Sequence, residues 1–175
     1  MNMYFDKINE LYNRNQPMKI TDQVWPESIT PLVSIFCVTY NHGNYIRDAL
    51  DSFLMQETTF PVEILIHDDA STDGTAEIIR DYSNKYPLLI KPILQSKNQY
   101  SLGKKPGAIL RKFIKGSFIA PCEGDDCWLN KQKLELQVKI MAEHDDCVLV
   151  GGRCLVYNEE VKQERIQPHL STHLD

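Results

Sequence analysis

The hydrophobic and polar positions change period several times along the chain, and each change predicts an element. Residues 32–38 (Leu-Val-Ser-Ile-Phe-Cys-Val) are an almost unbroken apolar run, which reads as a strand buried on both faces of a parallel sheet. Gly43 and Asn44 then open a helical stretch with Ile46, Leu50, Phe53 and Leu54 on one face and Gln56 near its end. Residues 62–66 (Val-Glu-Ile-Leu-Ile) read as a second strand. Ser71, Thr72 and Asp73 offer caps for the next helix, whose apolar face carries Ala76, Ile79 and Tyr82. Residues 88–94 form a third strand, with Pro92 marking it as irregular or near an edge. A loop rich in Gly, Ser and Lys covers residues 96–107, followed by a helix over 108–114 and a short strand over 117–121. The next helix presents Leu134, Val138 and Met141 on one side. Residues 147–150 and 153–157 look like two further strands, and residues 158–175 are polar with no core face. At the other end, residues 1–15 read as a short amphipathic helix carrying Tyr4, Ile8, Leu11 and Tyr12. The connector after it contains Pro17, Pro26 and Pro31, so it is not one continuous helix.

Strand and helix alternate four times, which predicts an α/β sandwich with a mainly parallel central sheet. Right-handed crossovers place the loops after successive strands on one edge, where ligands bind in open α/β sheets. The pattern divides the chain into an N-terminal helical arm and linker over residues 1–31, an α/β domain over 32–158 and a polar tail over 159–175. A length of 175 residues suits one domain with its own core. The net charge of −5 shows no basic footprint for nucleic acid. No apolar run approaches the roughly 20 residues that span a bilayer. Residues 1–10 carry Asp6 and Glu10 and lack the apolar stretch of a secretory signal, so the expected location is cytoplasmic. The five cysteines include no CxxC pair. They read as reduced thiols packed as small apolar groups, in preference to a zinc site at Cys122 and Cys127.

Three motifs fall at predicted strand ends. Thr39-Tyr40-Asn41 follows the first strand, the segment from Asp68 and Asp69 to Thr75 follows the second, and Glu123-Gly124-Asp125-Asp126 follows the fourth. Each has a plain reading when taken alone: a capped strand-to-helix turn for the second, a solvated acidic turn for the third. Together, at one sheet edge, they suggest more. Clustered carboxylates repel unless a cation or proton relieves them, and their oxygens suit hard cations such as Mg²⁺ or Mn²⁺. A cation held there turns an acidic pocket into a diphosphate site. The separate pair Asp68-Asp69 accepts hydrogen bonds from a base N–H or ribose hydroxyls.

These motifs, with residues 33–41, 66–75 and 118–128 read in order, resemble the family 2 glycosyltransferases of the GT-A fold. The resemblance covers about residues 32–151. It implies a nucleotide-binding α/β/α sandwich and a nucleoside-diphosphate sugar donor, most often a UDP-sugar. Thr39 and Tyr40, with Asn41 in the same motif, match the segment lining the base pocket. Asp69 matches the aspartate that holds the uracil, with Asp68 close by. Asp125 matches the metal-binding aspartate of the DxD motif, Glu123 replaces the first aspartate of that motif, Gly124 lies between them, and Asp126 supports the metal side. The loop over residues 98–107, with Lys104 and Lys105, matches the variable segment crossing the donor site. The implied acceptor is a saccharide or lipid-linked glycan in surface polysaccharide assembly. Peripheral membrane contact and a homodimer through an exposed sheet edge complete the expected partners, with no nucleic acid.

Transfer with inversion also needs a base for the acceptor hydroxyl, which this family carries well after the DxD motif. No residue here matches it, and the polar ending reads as truncation before the acceptor-binding part. The alternative function is therefore a nucleotide-sugar-binding fragment without catalysis. A sugar nucleotidyltransferase is disfavoured because its Gly-rich, Arg-containing loop does not follow the first strand. A dinucleotide-binding oxidoreductase is disfavoured because GxGxxG is missing there. His169 and His173 have metal-compatible spacing but no third ligand in sequence, and read as tail histidines.

Overall fold

The computed structural model describes residues 16–26, 28–158 and 160–167. The helix expected over residues 1–15, His169 and His173 lie outside the described residues. In chain order the elements are β1 (Met18–Lys19), a 3-10 turn (Ile20–Asp22), β2 (Val33–Thr39), α1 (Ile46–Leu54), β3 (Glu57–Thr58), β4 (Val62–Asp68), α2 (Thr75–Lys85), β5 (Ile90–Leu94), α3 (Pro106–Leu110), a 3-10 turn (Arg111–Phe113), β6 (Phe118–Pro121), α4 (Lys133–Glu143), β7 (Cys154–Asn158) and β8 (Gln163–Gln167).

The central sheet has the order β5-β4-β2-β6, and all three pairings are parallel. This is the parallel α/β arrangement that the apolar runs predict. Pro92 sits on the edge strand β5, where a missing ladder donor is tolerated. Side chains alternate between the two faces of the sheet. Ile35, Cys37, Ile64 and Ile66 pack into one core with Ile46, Ala49, Leu50 and Phe53 of α1 and Ile79 of α2. Burying each large apolar side chain contributes about 1.5–3 kcal/mol. On the opposite face α3 packs over β2 and β4, with Gly107 placed over the Phe36 ring.

Polar groups lock the layers together. Gln56, fully buried, donates from its amide to the carbonyls of Ser52 and Asn130 and accepts from the Leu134 N–H. It thereby ties the end of α1 to the start of α4. At the sheet end remote from the strand C-termini, Ser34 Oγ donates to Glu63 at 2.6 Å and accepts from the Gly116 N–H, while Glu63 also accepts from the Lys115 N–H.

Several expectations are corrected. Residues 147–150 form no strand: Val148 and Leu149 are 90% and 83% exposed, and an apolar, β-prone run without a ladder partner does not make a strand by itself. Part of the stretch read as a featureless tail is instead β8, which pairs antiparallel with β7. The turn between them is held by Asn158 Oδ1 accepting from the Val161 N–H, with Lys162 at a φ of 51°. The helix expected over residues 108–114 begins two residues earlier, because Pro106 suits a first helical turn, and its end tightens into a 3-10 turn. The β1–β3 pair is two residues long, too short to show a period.

Two outcomes test this packing. A Cβ at Gly116 would lie 2.5 Å from the Ser34 amide nitrogen, so Gly116→Ala should cost about 1–3 kcal/mol through overpacking. Gly151, with open space around it, is the control; equal urea midpoints for the two alanine variants would contradict the packing. All five cysteines are free thiols. Burial pushes the Cys122 thiol up to about 12, and raises Cys37 as well. Alkylation of the native protein should therefore modify exposed Cys154 and spare Cys37 and Cys122 until unfolding, as read by mass spectrometry.

Candidate functional site

The sheet register decides where the three motifs meet. Thr39 and Asp68 are register partners at the ends of β2 and β4. Strand β6 stops opposite Phe36, so the residues after it run on beside the rest of β2. There the Cys122 N–H donates to the Phe36 carbonyl, and the Gly124 N–H donates to the Val38 carbonyl. The acidic turn is thus laid against Thr39. The contact is close enough that a Cβ on Gly124 would lie 2.7 Å from Thr39 Oγ1 and 2.9 Å from His42 Nδ1, so glycine is required.

The first and second motifs are stitched together by their own side chains. Asn41 adopts a φ of 55°, a left-handed conformation that asparagine tolerates. Its N–H donates to Ser71 Oγ at 2.8 Å and its Oδ1 accepts from the Thr72 N–H at 2.9 Å. Asp68 is buried and accepts from both the N–H and the hydroxyl of Ser71. Asp73 accepts from the Gly43 N–H at 2.7 Å and from the Thr75 hydroxyl. Burial pushes the Asp73 carboxyl up, but these hydrogen bonds outweigh it and hold the group below the ordinary carboxylate range.

Asp69 has a different job. It is 2% exposed, its N–H donates to the Thr39 carbonyl, and its two oxygens accept from the N–H groups of Gln99 at 2.7 Å and Tyr100 at 3.0 Å. One carboxylate thus holds the loop after β5 over the sheet edge. That loop is braced by Asn98 Oδ1, which accepts from the Ser101 N–H, and turns at Gly103 with a φ of 74°.

Between these segments lies a cavity of about 350 Å³, within the range of small-ligand sites. Thr39, Tyr40, Asp69 and Glu123 line it, so residues from all three motifs share one space. Asp125 is not among the lining residues; its Oδ1 lies 3.7 Å from Nδ1 of the lining residue His42. Gly124 is buried in the wall, while Asp126 is exposed and its N–H donates to the Glu123 carbonyl. Asn41 and Asp68 do not line the cavity; their polar groups are spent on Ser71 and Thr72. His42, Asn98, Tyr100 and Pro106 also line it. Asn98, Tyr100 and Pro106 belong to the loop over residues 98–107 that the resemblance places across the donor site, whereas His42 escapes sequence reading because it has no partner in sequence. Its position directly after Asn41 is the one available signal.

The donor set suits a hard cation. Glu123, Asp125 and Asp126 offer carboxylate oxygens; behind them, and apart from that donor set, the buried Thr39 Oγ1 and His42 Nδ1 have no hydrogen-bond partner among the described residues. Among the described residues no three ligating side chains converge. A cation held by one or two carboxylates completes its shell with phosphate oxygens and water, as Mg²⁺ commonly does.

Known proteins resemble this chain in sequence and fold. An uncharacterized protein of Mycobacterium tuberculosis is 38% identical over 143 residues, 82% of this chain and 41% of that protein. The crystal structure of Staphylococcus aureus TarS 1-349 in complex with UDP superposes with a TM-score of 0.54 at 32% identity, covering 65% of this chain and 32% of that one. The mannosyltransferase PcManGT of Pyrobaculum calidifontis gives a TM-score of 0.55 at 22% identity over 80% of this chain and 39% of its own, a likeness of fold. The chain therefore spans less than half the length of these proteins, and its fold is the GT-A type. The sequence model of Glycosyl transferase family 2 matches residues 34–173, and this chain accordingly belongs to that family of glycosyltransferases.

Proposed function

We propose that residues 32–158 are the donor-binding domain of a metal-dependent glycosyltransferase that moves a sugar, with inversion, from a UDP-sugar to an acceptor hydroxyl. One observation carries this reading: Asp69 and Glu123, from separate strand ends, line a single cavity, and Asp125 lies beside the lining residue His42. The likeness to TarS, solved with UDP at 32% identity, supports uridine as the base. TarS is described as a poly(ribitol-phosphate) beta-N-acetylglucosaminyltransferase, which supports a saccharide or lipid-linked acceptor in surface glycan assembly. No helix among the described residues is long and apolar enough to cross a membrane; on this reading the domain works in the cytoplasm, at the inner membrane face.

The roles follow from chemistry. Tyr40, 46% exposed, offers a ring face to the base. Asp69 spends one acceptor position of each oxygen on the loop, and an ionised carboxylate has about four such positions, so it still accepts from a base N–H. Asp125 holds the divalent ion, Mg²⁺ or Mn²⁺, with Glu123 and Asp126 beside it. When bound, that ion neutralises the diphosphate and stabilises the charge on the departing nucleotide. Thr39 and the loop from Asn98 to Tyr100 enclose the nucleotide and exclude water from it.

Calorimetry with UDP, with and without Mn²⁺, tests the assignment. Asp125→Ala should abolish the manganese-dependent part of binding. Asp69→Ala should weaken uridine itself by about 1.5–3 kcal/mol, the worth of a hydrogen bond to a charged group, or roughly tenfold or more. Variants that both bind UDP like the parent would refute the site. Turnover with several donors and acceptors separates transfer from binding alone; donor binding with no transfer supports a non-catalytic module.

A further inference from the structure

His42 does two separate things. Its backbone carbonyl accepts from the N–H groups of Tyr45 at 2.9 Å and Ile46 at 2.8 Å, opening α1. Its side chain takes no part in that. Nδ1 is buried and has no hydrogen-bond partner among the described residues, although a buried ring nitrogen left unpaired is costly. One side of it is closed by Gly124, where even a methyl group would come within 2.9 Å. The acid that faces it is Asp125, whose Oδ1 is 3.7 Å away, just beyond hydrogen-bond length. Asp125 is 47% exposed, and among the described residues no hydrogen bond to its carboxylate fixes the rotamer.

We infer that His42 is a positioning residue for Asp125: its Nδ1–H closes on one carboxylate oxygen and leaves the other aimed at the divalent ion. This rests on the reading of Asp125 as the metal-holding group. The covered state of Nδ1 decides between two roles for the ring. Nδ1 is buried against Gly124, so it acts through Asp125 and is not itself a ligand. Carboxylates that hold metals are commonly oriented by a hydrogen-bond donor of this kind, and losing one typically weakens metal binding 10–100-fold. The short reach also explains the glycine at 124. A larger residue would push the acidic turn off β2 and open the gap between the two side chains.

The test is a Mn²⁺ titration followed by electron paramagnetic resonance, with UDP saturating for each variant so that a change in nucleotide affinity alone does not move the curve. His42→Ala should weaken Mn²⁺ by roughly 10–100-fold. His42→Asn should recover most of the loss, because the asparagine amide places an N–H close to the position of Nδ1. Both variants keep the backbone carbonyl that opens α1, and thermal unfolding checks that they fold. An alanine variant that titrates like the parent overturns the inference, and so does an asparagine variant as weak as alanine. A parent protein that binds no Mn²⁺ in the presence of UDP overturns the metal reading itself, before any variant is compared.

Discussion

The in-register parallel pairing of β2 with β4 and β6 is the constraint on which the site depends. Pairing Thr39 with Asp68 puts the first two motifs side by side. Ending β6 opposite Phe36 then leaves the following residues to run alongside Val38 and Thr39. A slip of one residue would turn every side chain of the strand to the opposite face of the sheet. It would drive Ile64 and Ile66 out of the core they share with α1 and α2 and carry the carboxylates away with them. The packing energy of the core therefore fixes the position of the acids. The same burial on both faces that makes β2 and β4 read as unbroken apolar runs gives the edge its geometry.

Within that frame Asp69 couples two parts of the site. Its carboxylate is buried, and both oxygens are engaged by the loop after β5. Hydrogen bonds to a charged acceptor are about twice as strong as neutral ones, so this one residue positions Asn98 and Tyr100 over the cavity as well as facing it. Asp68, one residue earlier, is turned inward and closes the turn through Ser71. Asp68 is the last residue of β4 and Asp69 lies just past it, so two neighbouring aspartates serve different ends. The sequence presents them as a pair; their hydrogen-bond partners separate them.

How much of this was legible beforehand follows from the same physics. Strands β2, β4 and β6, helices α1 and α2, and the edge position of β5 are carried by hydrophobic period and by Pro92, signals local to the segment. Thr39, Tyr40, Asp69 and Glu123 fall at strand ends, so alternation of strand and helix was enough to bring them to one edge. What escaped depends on contacts distant in sequence. The β1–β3 pair joins residues about 40 apart through two-residue strands with no period to read. The β7–β8 hairpin rests on a turn conformation at Lys162, and the apolar residues at 147–150 mimicked a strand without a partner. Asn98 and Tyr100 lie in the loop that the resemblance places across the donor site, but the anchoring of that loop by Asp69 and the approach of His42 to Asp125 are recorded by no local pattern.

The distribution of unsatisfied groups separates scaffold from site. Where the fold merely has to hold together, buried polar atoms are paired: Gln56 uses both ends of its amide, and Glu63 and Ser34 satisfy each other and the chain at Gly116. Among the described residues the buried side-chain atoms without partners are Thr39 Oγ1, His42 Nδ1 and the two ring nitrogens of His67. Thr39 and His42 line the cavity, and His67 is the penultimate residue of β4, at the same end of the sheet. Burial lowers the His67 pKa, outweighing the upward pull of Asp69 and Asp68, and so favours a neutral ring beneath the acids. An unpaired buried polar atom costs about 1–3 kcal/mol, and a fold that satisfies such groups at one end of its sheet has the means to satisfy them at the other. Buried groups left unpaired at the ligand edge and paired elsewhere mark where the sheet serves the site and not the scaffold alone.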